Sequence, residues 1–217
     1  MIPDFIYRPP DVPISVIYQD AQIIVVNKPA GLLSVPGKLA GRQDCLLSRV
    51  TSQHWNTLLV HRLDCDTSGV IIFAKTKLAQ GFLGQEFEKR RAKKTYIARV
   101  WGQIEAETGQ IDLPIGSDWP NRPRQMVDWE NGRPAQTDWQ AIDRDDISTR
   151  VQLSPRTGRS HQLRVHMLAI GHPILGDPIY ATGPAKDFPR LMLHAETLGL
   201  HHPSTADWME FSAPCPF

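Results

Sequence analysis

Residues 61–75 read HRLDCDTSGVIIFAK, so a dense polar segment is followed at once by an apolar run. A short apolar run rich in β-branched residues predicts a buried strand, and the polar segment before it predicts a loop. This loop carries Asp64 two residues from Arg62. Catalytic groups concentrate on loops held by a sheet, and a nearby arginine keeps a carboxylate anionic, ready to act as nucleophile or base. The alternative is a structural turn in which Asp64 or Asp66 binds backbone N–H groups.

The rest of the chain predicts many short strands and three helices. Strands are predicted at Ile14–Tyr18, Ile23–Val26, Leu58–Val60, Val70–Lys75, Thr95–Trp101, Gln125–Trp129, Ala135–Ile142, Thr149–Leu153, Leu191–Leu200 and Trp208–Phe211. Helices are predicted from a cap at Asp44 to Val50, from a cap at Thr76 to about Arg90, and from a cap at Ser160 to Ile170, before Gly171. Because strands outnumber helices without regular alternation, the pattern favours an α+β fold with a mainly antiparallel mixed sheet. With no repeat or Gly/Ser linker, residues 1–217 are expected to form one domain.

Charge is nearly balanced over the chain but unevenly distributed along it. Lys and Arg total 24 against 23 Asp and Glu, a net charge of +1, which excludes a disordered polyelectrolyte. Residues 88–99 nevertheless hold six basic and one acidic side chain, and residues 150–166 hold four basic and no acidic ones. If the fold brings these segments together, they form a positive groove suited to a polyanion. Otherwise they are two separate solvated faces.

Patterns for cofactors and metals are missing from the sequence. The segment GLLSVPGK at 31–38 has one residue too many for a phosphate-binding loop, and Leu39 stands where that pattern needs Ser or Thr. His161 and His166 are five residues apart, whereas two zinc ligands on one helix face are four apart. The three cysteines show no paired spacing, which favours a reducing cytoplasm. Apolar runs stay near five residues, far below the ~20 of a membrane helix. We therefore expect a cytoplasmic protein without cofactor, metal or membrane.

Four segments together resemble the sequence motifs of the RluA family of pseudouridine synthases. HRLDCDTSG, residues 61–69, is similar to the signature of that family. Before it, VVNKPAGLL at 25–33 resembles the N-terminal motif, and after it KKTY at 93–96 resembles the K-x-Y motif. TGRSHQLRVH at 157–166, followed by GHPILGD at 171–177, resembles the C-terminal motif. The segments follow the family's order and span nearly the whole chain.

The resemblance implies a pseudouridine synthase catalytic fold with a central active-site cleft. Unlike in many members of the family, no S4-like RNA-binding domain is expected before the catalytic part. The family isomerises uridine in RNA: the N1–C1′ bond breaks, the uracil turns, and a C5–C1′ bond forms. Because bonds of similar kind are broken and made, this reaction implies no cofactor. The family's catalytic aspartate corresponds to Asp64. Its carboxylate would either attack C1′ or remove a proton from C2′, and the sequence leaves both routes open.

The same resemblance assigns the other site residues. Arg164 is expected to pair with Asp64 and keep it ionised. Tyr96 is expected to stack on the flipped uracil and assist removal of the C5 proton, with Leu163 as an apolar wall. Arg62 is expected to fill the space that the flipped base leaves, since a planar guanidinium stacks on bases. Further residues expected to bind RNA are Lys89, Arg90, Arg91, Lys93, Lys94, Arg159 and His161.

The likeness is strongest to a dual-specificity member that acts on 23S ribosomal RNA and a tRNA anticodon stem-loop. Stem-loops of both kinds are therefore the expected substrates, and a monomer the expected state. Two other functions are weighed against this one. A glycosidase that uses Asp64 and releases the base is disfavoured because no second catalytic carboxylate is evident. A non-catalytic RNA-binding module is disfavoured because it would not need Asp64, Tyr96 and Arg164 together.

Overall fold

The computed structural model describes residues 7–217, which contain three α-helices and twelve β-strands. The helices are α1 (Leu46–Gln53), α2 (Lys77–Glu88) and α3 (Gln162–Ala169). The strands are β1 (Ser15–Gln19), β2 (Ile23–Lys28), β3 (Leu58–Leu59), β4 (Ser68–Ala74), β5 (Lys93–Trp101), β6 (Thr108–Asp112), β7 (Ile115–Ser117), β8 (Gln125–Val127), β9 (Gln136–Arg144), β10 (Ser148–Pro155), β11 (Leu193–His201) and β12 (Trp208–Ser212). Antiparallel pairing predominates, and β4 and β11 pair in parallel. The predicted α+β class with a mainly antiparallel mixed sheet is confirmed.

The chain divides into two compact units. We call residues 7–94 and His194–Phe217 the terminal unit, and Thr95–Leu193 the middle unit. The chain leaves the terminal unit within β5 and returns to it within β11. The single domain expected over residues 1–217 stays a prediction, and its residues 1–6 lie outside the described range.

The terminal unit is built on strands in the order β1-β2-β4-β11, with β3 paired to β4 and β12 to β11. Every residue of β4 is buried, as its continuous apolar sequence predicts. Helix α2 packs Ala79 and Leu83 onto the same core, and full burial of one leucine contributes about 1.5–3 kcal/mol. The predicted cap of α2 is confirmed, because Thr76 Oγ1 accepts the Ala79 N–H at 3.1 Å. Sheet and helix together form a rigid support for the loop that precedes β4.

Gly69 fixes the point at which that loop enters β4. Its φ is +116°, a value that side chains other than hydrogen rarely tolerate. A Cβ at this position would lie 2.1 Å from the carbonyl oxygen of Ala195 in the neighbouring strand β11. The close approach of the two strands therefore requires glycine at position 69.

The middle unit carries strands in the order β5-β10-β9-β6 and a separate hairpin of β7 and β8. Its core includes Val100, Leu153 and Met167. Helix α3 is buried from Gln162 to Met167, including the polar side chain of Arg164. A helix buried on its polar positions needs hydrogen-bond partners within the protein, and those partners form much of the site described below.

Two predicted helix caps are wrong by one residue. Helix α1 is capped by the Cys45 side chain and not by Asp44, whose Oδ1 instead pairs with Arg49 Nε at 2.7 Å. Helix α3 is capped by His161 in a left-handed conformation (φ 54°), and not by Ser160. At α1 the cap is decided locally, by the reciprocal bonds of Cys45 with Ser48. At α3 the His161 ring is held by the distant Tyr180 hydroxyl.

Strands β6 and β7 are not predicted by the sequence patterns. The segment TGQID of β6 is mostly polar and exposed at the sheet edge, so it lacks the alternation that indicates a half-buried strand.

Among the residues that the structure describes, no helix is long and apolar enough to cross a membrane. The same residues contain no group of three or more His, Cys, Asp or Glu side chains placed so that they could hold a metal ion.

Candidate active site

The loop that carries Asp64 is braced by a fully buried lysine. Lys28, at the end of β2, donates from Nζ to the carbonyl oxygens of Cys65 at 2.8 Å, Leu32 at 2.6 Å and Pro29 at 2.9 Å. A buried ammonium group is tolerated only when polar atoms replace its water, and here carbonyl dipoles do so. The position immediately after Asp64 is thereby tied to the strand next to β4.

Leu63, the residue before Asp64, is tied to Ser34 in the segment that follows β2. Ser34 Oγ donates to the Leu63 carbonyl at 2.6 Å and accepts the Leu63 N–H at 3.2 Å, and all of these groups are buried. Within the loop, the Thr67 N–H bonds to the Asp64 carbonyl at 3.2 Å. The backbone on both sides of the half-buried Asp64 is therefore fixed, while Arg62 remains exposed.

His61 serves the loop as a neutral structural residue. Its Nε2 accepts the N–H of Ile72 in β4 at 3.2 Å, and its ring stacks on Phe87 with centroids 4.5 Å apart. Burial, with a smaller contribution from the positive charge of Lys94, lowers the pKa of His61 from 6.5 to about 3. The imidazole is therefore uncharged near neutral pH.

The cationic stretch of residues 89–94 contains lysines and arginines in different surroundings. Arg91 pairs with the carboxylate of Glu86, which is almost fully buried. Lys93 Nζ lies 5.5 Å from the ring centroid of Trp208, and burial lowers the pKa of Lys94. Lys89 and Arg90 are exposed. The side chains of this stretch therefore differ in how readily they could bind a phosphate.

The middle unit holds Arg164 in a buried two-point ion pair. Arg164 Nε lies 2.7 Å from Asp177 Oδ2, and Arg164 Nη2 lies 2.7 Å from Asp177 Oδ1. Asp177 Oδ1 also accepts the N–H groups of Ile179 at 2.9 Å and Tyr180 at 3.1 Å. Neither bond to Asp177 uses Nη1 of the guanidinium, and the pairing of Arg164 with Asp64 stays a prediction.

Tyr180 connects Arg164 to other elements of the middle unit. Its ring centroid is 5.0 Å from the Arg164 guanidinium carbon. Its hydroxyl accepts the Gln125 N–H of β8 at 2.8 Å and lies 2.7 Å from Nδ1 of His161. The orientation of Arg164 is therefore coupled to the hairpin of β7 and β8.

The remaining assigned residues of the middle unit lie near the same helix. Tyr96 is half-buried and packs against the core cluster that contains Leu163. The Arg159 backbone N–H bonds to Gln162 Oε1 at 3.0 Å, and Arg159 Nε donates to the carbonyl of Pro134 at 3.1 Å. The structure thus groups Tyr96 with Leu163 and connects Arg164 with His161.

The sequence reasoning assigned no role to three groups that support these residues. Lys28 could have been noticed because it ends a strand that is otherwise almost entirely apolar. Asp177 is part of the GHPILGD motif, where an acidic residue follows an apolar segment. Ser34 gives no signal, because a serine in a Pro/Gly loop is ordinary.

Of the residues assigned to the site, the terminal unit contains Asp64, Arg62, Lys89, Arg90, Arg91, Lys93 and Lys94, and the middle unit contains Tyr96, Arg159, His161, Leu163 and Arg164. Their roles and the predicted meeting of the two cationic segments stay predictions.

Known proteins identify the class to which this fold and these residues belong. A family model described as RNA pseudouridylate synthase matches residues 22–169, about two thirds of the chain. The chain belongs to this family and is an RNA pseudouridine synthase, an isomerase. The predicted family and enzyme class are confirmed.

Individual relatives are similar over almost their full length. The chain is 51% identical over 214 residues to the dual-specificity RNA pseudouridine synthase RluA of Escherichia coli (strain K12), covering 97% of this chain and 98% of that protein. It is 55% identical over 204 residues to the protein of the same name from Yersinia pestis, covering 93% and 99%. The solved structure of human RNA pseudouridylate synthase domain containing 1 superposes with a TM-score of 0.80 at 31% identity, over 94% of this chain and 84% of that one.

Proposed function

We propose that the chain converts uridine to pseudouridine in RNA stem-loops, with Asp64 as the catalytic residue. The observation that carries this assignment is the double brace on its loop, Ser34 on Leu63 and Lys28 on Cys65. A reacting carboxylate must keep a fixed position relative to the sugar, and a backbone tied on both sides supplies that position. Asp64 either attacks C1′ to form a covalent glycosyl ester or removes a proton from C2′ to form a glycal.

The middle unit supplies the other groups of the proposed reaction. Tyr96 stacks on the freed uracil, and its hydroxyl assists loss of the C5 proton after the C5–C1′ bond forms. Leu163 provides an apolar wall for the base. Arg164 is proposed to pair with Asp64 and act through it, as a positioning residue that orients the carboxylate. The two-point bond to Asp177 supports this role, because it presets the guanidinium orientation.

RNA is proposed to bind through backbone contacts and base flipping. A uridine in a stem-loop leaves its stack at a cost of a few kcal/mol, and the exposed Arg62 fills the vacated space. Phosphates are bound by Lys89, Arg90, Arg91, Lys93, Lys94, Arg159 and His161. Lys89 and Arg90 contribute most within the cationic stretch, because Arg91 is already paired with Glu86 and Lys94 is deeply placed.

The proposed substrates are stem-loops of 23S ribosomal RNA and of a tRNA anticodon arm. Support comes from the name of the dual-specificity relatives and from their similarity over nearly the whole chain. We also propose that the enzyme acts in the cytoplasm, as a monomer and as a single catalytic domain. Mapping of pseudouridines in RNA from cells that lack this protein identifies the modified positions.

The reaction is tested with RNA labelled with tritium at uridine C5. An isomerase releases tritium while the RNA stays intact, a glycosidase releases free uracil, and a binding module does neither. Asp64→Asn and Asp64→Ala are expected to abolish tritium release while RNA binding persists. Asp66→Asn is the matched control in the same loop, and its rate should stay within about tenfold of the unaltered chain, since one weakened hydrogen bond costs about 1 kcal/mol. Substantial release by either Asp64 variant contradicts the assignment.

A further inference from the structure

A groove in the middle unit includes Arg159, already proposed to bind phosphate, but its other lining residues have no role in the reaction described so far. It lies between the hairpin of β7 and β8 and the segment that leads into α3, and its volume is about 670 Å³. Sites for small molecules and single ligand groups range from about 300 to 1,000 Å³. We call it the hairpin groove. Trp119, Met126, Arg133 and Arg159 are among the residues that line it.

One wall of the hairpin groove presents an aromatic platform. Trp119 is 68% exposed, which is unusual for a large apolar side chain. The guanidinium carbon of Arg122 lies 3.5 Å from its ring centroid, so a cation covers one face and holds the ring in place. Met126 is also exposed and adds a polarisable apolar surface. A flat group can therefore stack here.

The other side of the groove is positively charged. Arg133 is exposed, and its side chain makes no ion pair or hydrogen bond with any residue in the described range. Arg159 lines the same groove just before α3. The acidic residue in the lining, Asp128, already accepts the N–H groups of Glu130 at 3.1 Å and Asn131 at 2.9 Å through Oδ1. Two arginines stand against this single carboxylate, so the lining carries a net positive charge that suits an anion.

The groove is rigid without a ligand. Backbone N–H groups of Ile115 and Arg133 bond to each other's carbonyls at 3.0 and 2.9 Å. A Cβ on Gly116 would lie 2.4 Å from Asp128 Oδ2, so the hairpin and the following turn are in close contact. The Tyr180 hydroxyl accepts the backbone N–H of Gln125 in β8. A preformed site loses little entropy when a ligand binds.

We infer that the hairpin groove binds one unpaired nucleotide of the RNA other than the target uridine, with its base on Trp119 and its phosphate on Arg133 and Arg159. This inference rests on the proposed function, since it deepens recognition of an RNA stem-loop. A nucleotide combines the flat ring and the anion that the two walls suit. Tyr180 contacts both β8 and Arg164. A nucleotide in the groove would therefore be coupled to the position of Arg164 through Tyr180.

The test uses the Asp64→Asn chain, so that binding is measured without turnover. Stem-loop RNAs that each carry 5-iodouridine at one loop position are irradiated, and the crosslinked peptide is sequenced. One position should crosslink at Trp119. In the same background, Trp119→Ala should raise Kd about tenfold, the effect of losing one base–aromatic stack. Arg133→Gln should lower the slope of log Kd against log salt by about 0.7.

Trp129→Ala is the matched control, because Trp129 is 72% exposed in the same unit and does not line the groove. Equal Kd values for Trp119→Ala and Trp129→Ala, with no crosslink at Trp119, overturn the inference; a groove that serves a protein partner gives this result. A crosslink at Trp119 together with no tritium release by the unaltered chain supports the groove and contradicts the proposed function.

Discussion

Arg164 and Asp177 face each other through two N–O distances of 2.7 Å in a part of the middle unit from which solvent is excluded. Asp177 is further held by two backbone N–H groups, so the carboxylate cannot turn away from the arginine. The guanidinium is consequently oriented by the protein itself before RNA binds. In the role proposed for Arg164, a guanidinium preset in this way would need no reorganisation during the reaction.

Asp177→Asn is expected to lower the free energy of unfolding by about 3–5 kcal/mol, because it removes the carboxylate charge that pairs with the buried guanidinium of Arg164. Asparagine keeps an oxygen that can accept the N–H groups of Ile179 and Tyr180. The change in the free energy of unfolding therefore measures the loss of the carboxylate charge. Urea unfolding measures the stability, and tritium release per folded molecule should show a lower kcat with little change in KM. Asp187→Asn, at an exposed site of the same unit, should change stability by less than about 0.5 kcal/mol.

A double variant separates stability from activity. Arg164→Met combined with Asp177→Asn removes both charges and keeps an oxygen for the N–H groups of Ile179 and Tyr180. Replacement of a buried ion pair by uncharged groups is often neutral or stabilising. We expect the double variant to be more stable than Asp177→Asn and still inactive. Activity restored along with stability would show that Arg164 has no role beyond folding.

Lys28→Met is expected to lower both stability and activity. Methionine nearly matches the length of lysine but leaves the carbonyls of Leu32 and Cys65 without their donor, at about 1–3 kcal/mol for each buried group. The Asp64 loop then loses one of its two braces, so tritium release per folded molecule should fall. Lys75→Met is the control, since Lys75 binds a carbonyl of Asp20 away from this loop. Equal loss of activity in both variants would contradict a positioning role for Lys28.

Stability should fall in acid through His61. Its pKa is 6.5 in the unfolded chain and about 3 in the folded one, so protonation favours the unfolded state between these values. The stabilising contribution is complete above about pH 6.5 and is lost progressively as the pH drops toward 3. At pH 5 it should be about 1–2 kcal/mol smaller than at pH 7. Urea unfolding at both pH values should therefore show a smaller gap between the unaltered chain and His61→Gln at pH 5; an unchanged gap contradicts the assignment.

Two glycines are expected to respond in opposite directions to alanine. Gly69→Ala should lower the free energy of unfolding by more than about 2 kcal/mol, because φ is positive and the Cβ would meet Ala195 in β11. Gly81→Ala should raise it by about 0.5–1 kcal/mol, since Gly81 lies inside α2 with no atom within 4 Å of the added Cβ. Thermal and urea unfolding of both variants measures these changes, and a stable Gly69→Ala chain would contradict the close strand contact.

The elements that the sequence predicts best are those whose pattern reflects burial on both faces or a local cap. Strand β4 is a continuous apolar run, and Thr76 caps α2 through its own side chain. Strand β6 is found only in the structure, because a polar edge strand is defined by its partner and not by its own residues. Strand β7 is also missed, because three residues are too few to show an alternating pattern. The cap at His161 likewise depends on a left-handed backbone that no local residue pattern indicates.

The sequence motifs indicate the candidate site residues, whereas the contacts that hold these residues depend on long-range packing. Asp64 and Arg164 lie in segments that resemble family motifs, and the family is confirmed. The contacts that hold them come from distant positions: Lys28 is 37 residues from Cys65, and Asp177 is 13 residues from Arg164. Such partners are set by the sheet order and the buried helix, which a single sequence does not specify.

The parallel pairing of β4 with β11 also governs when the enzyme can mature on the ribosome. Strand β4 follows the Asp64 loop directly, yet its partner β11 is translated only at residues 193–201 of 217. The terminal unit combines residues 7–94 with His194–Phe217, so it cannot be completed before the second of these segments has been made. A chain translated only as far as β10 therefore lacks the parallel partner of β4, so the start of the strand that follows the Asp64 loop is still unpaired on that side.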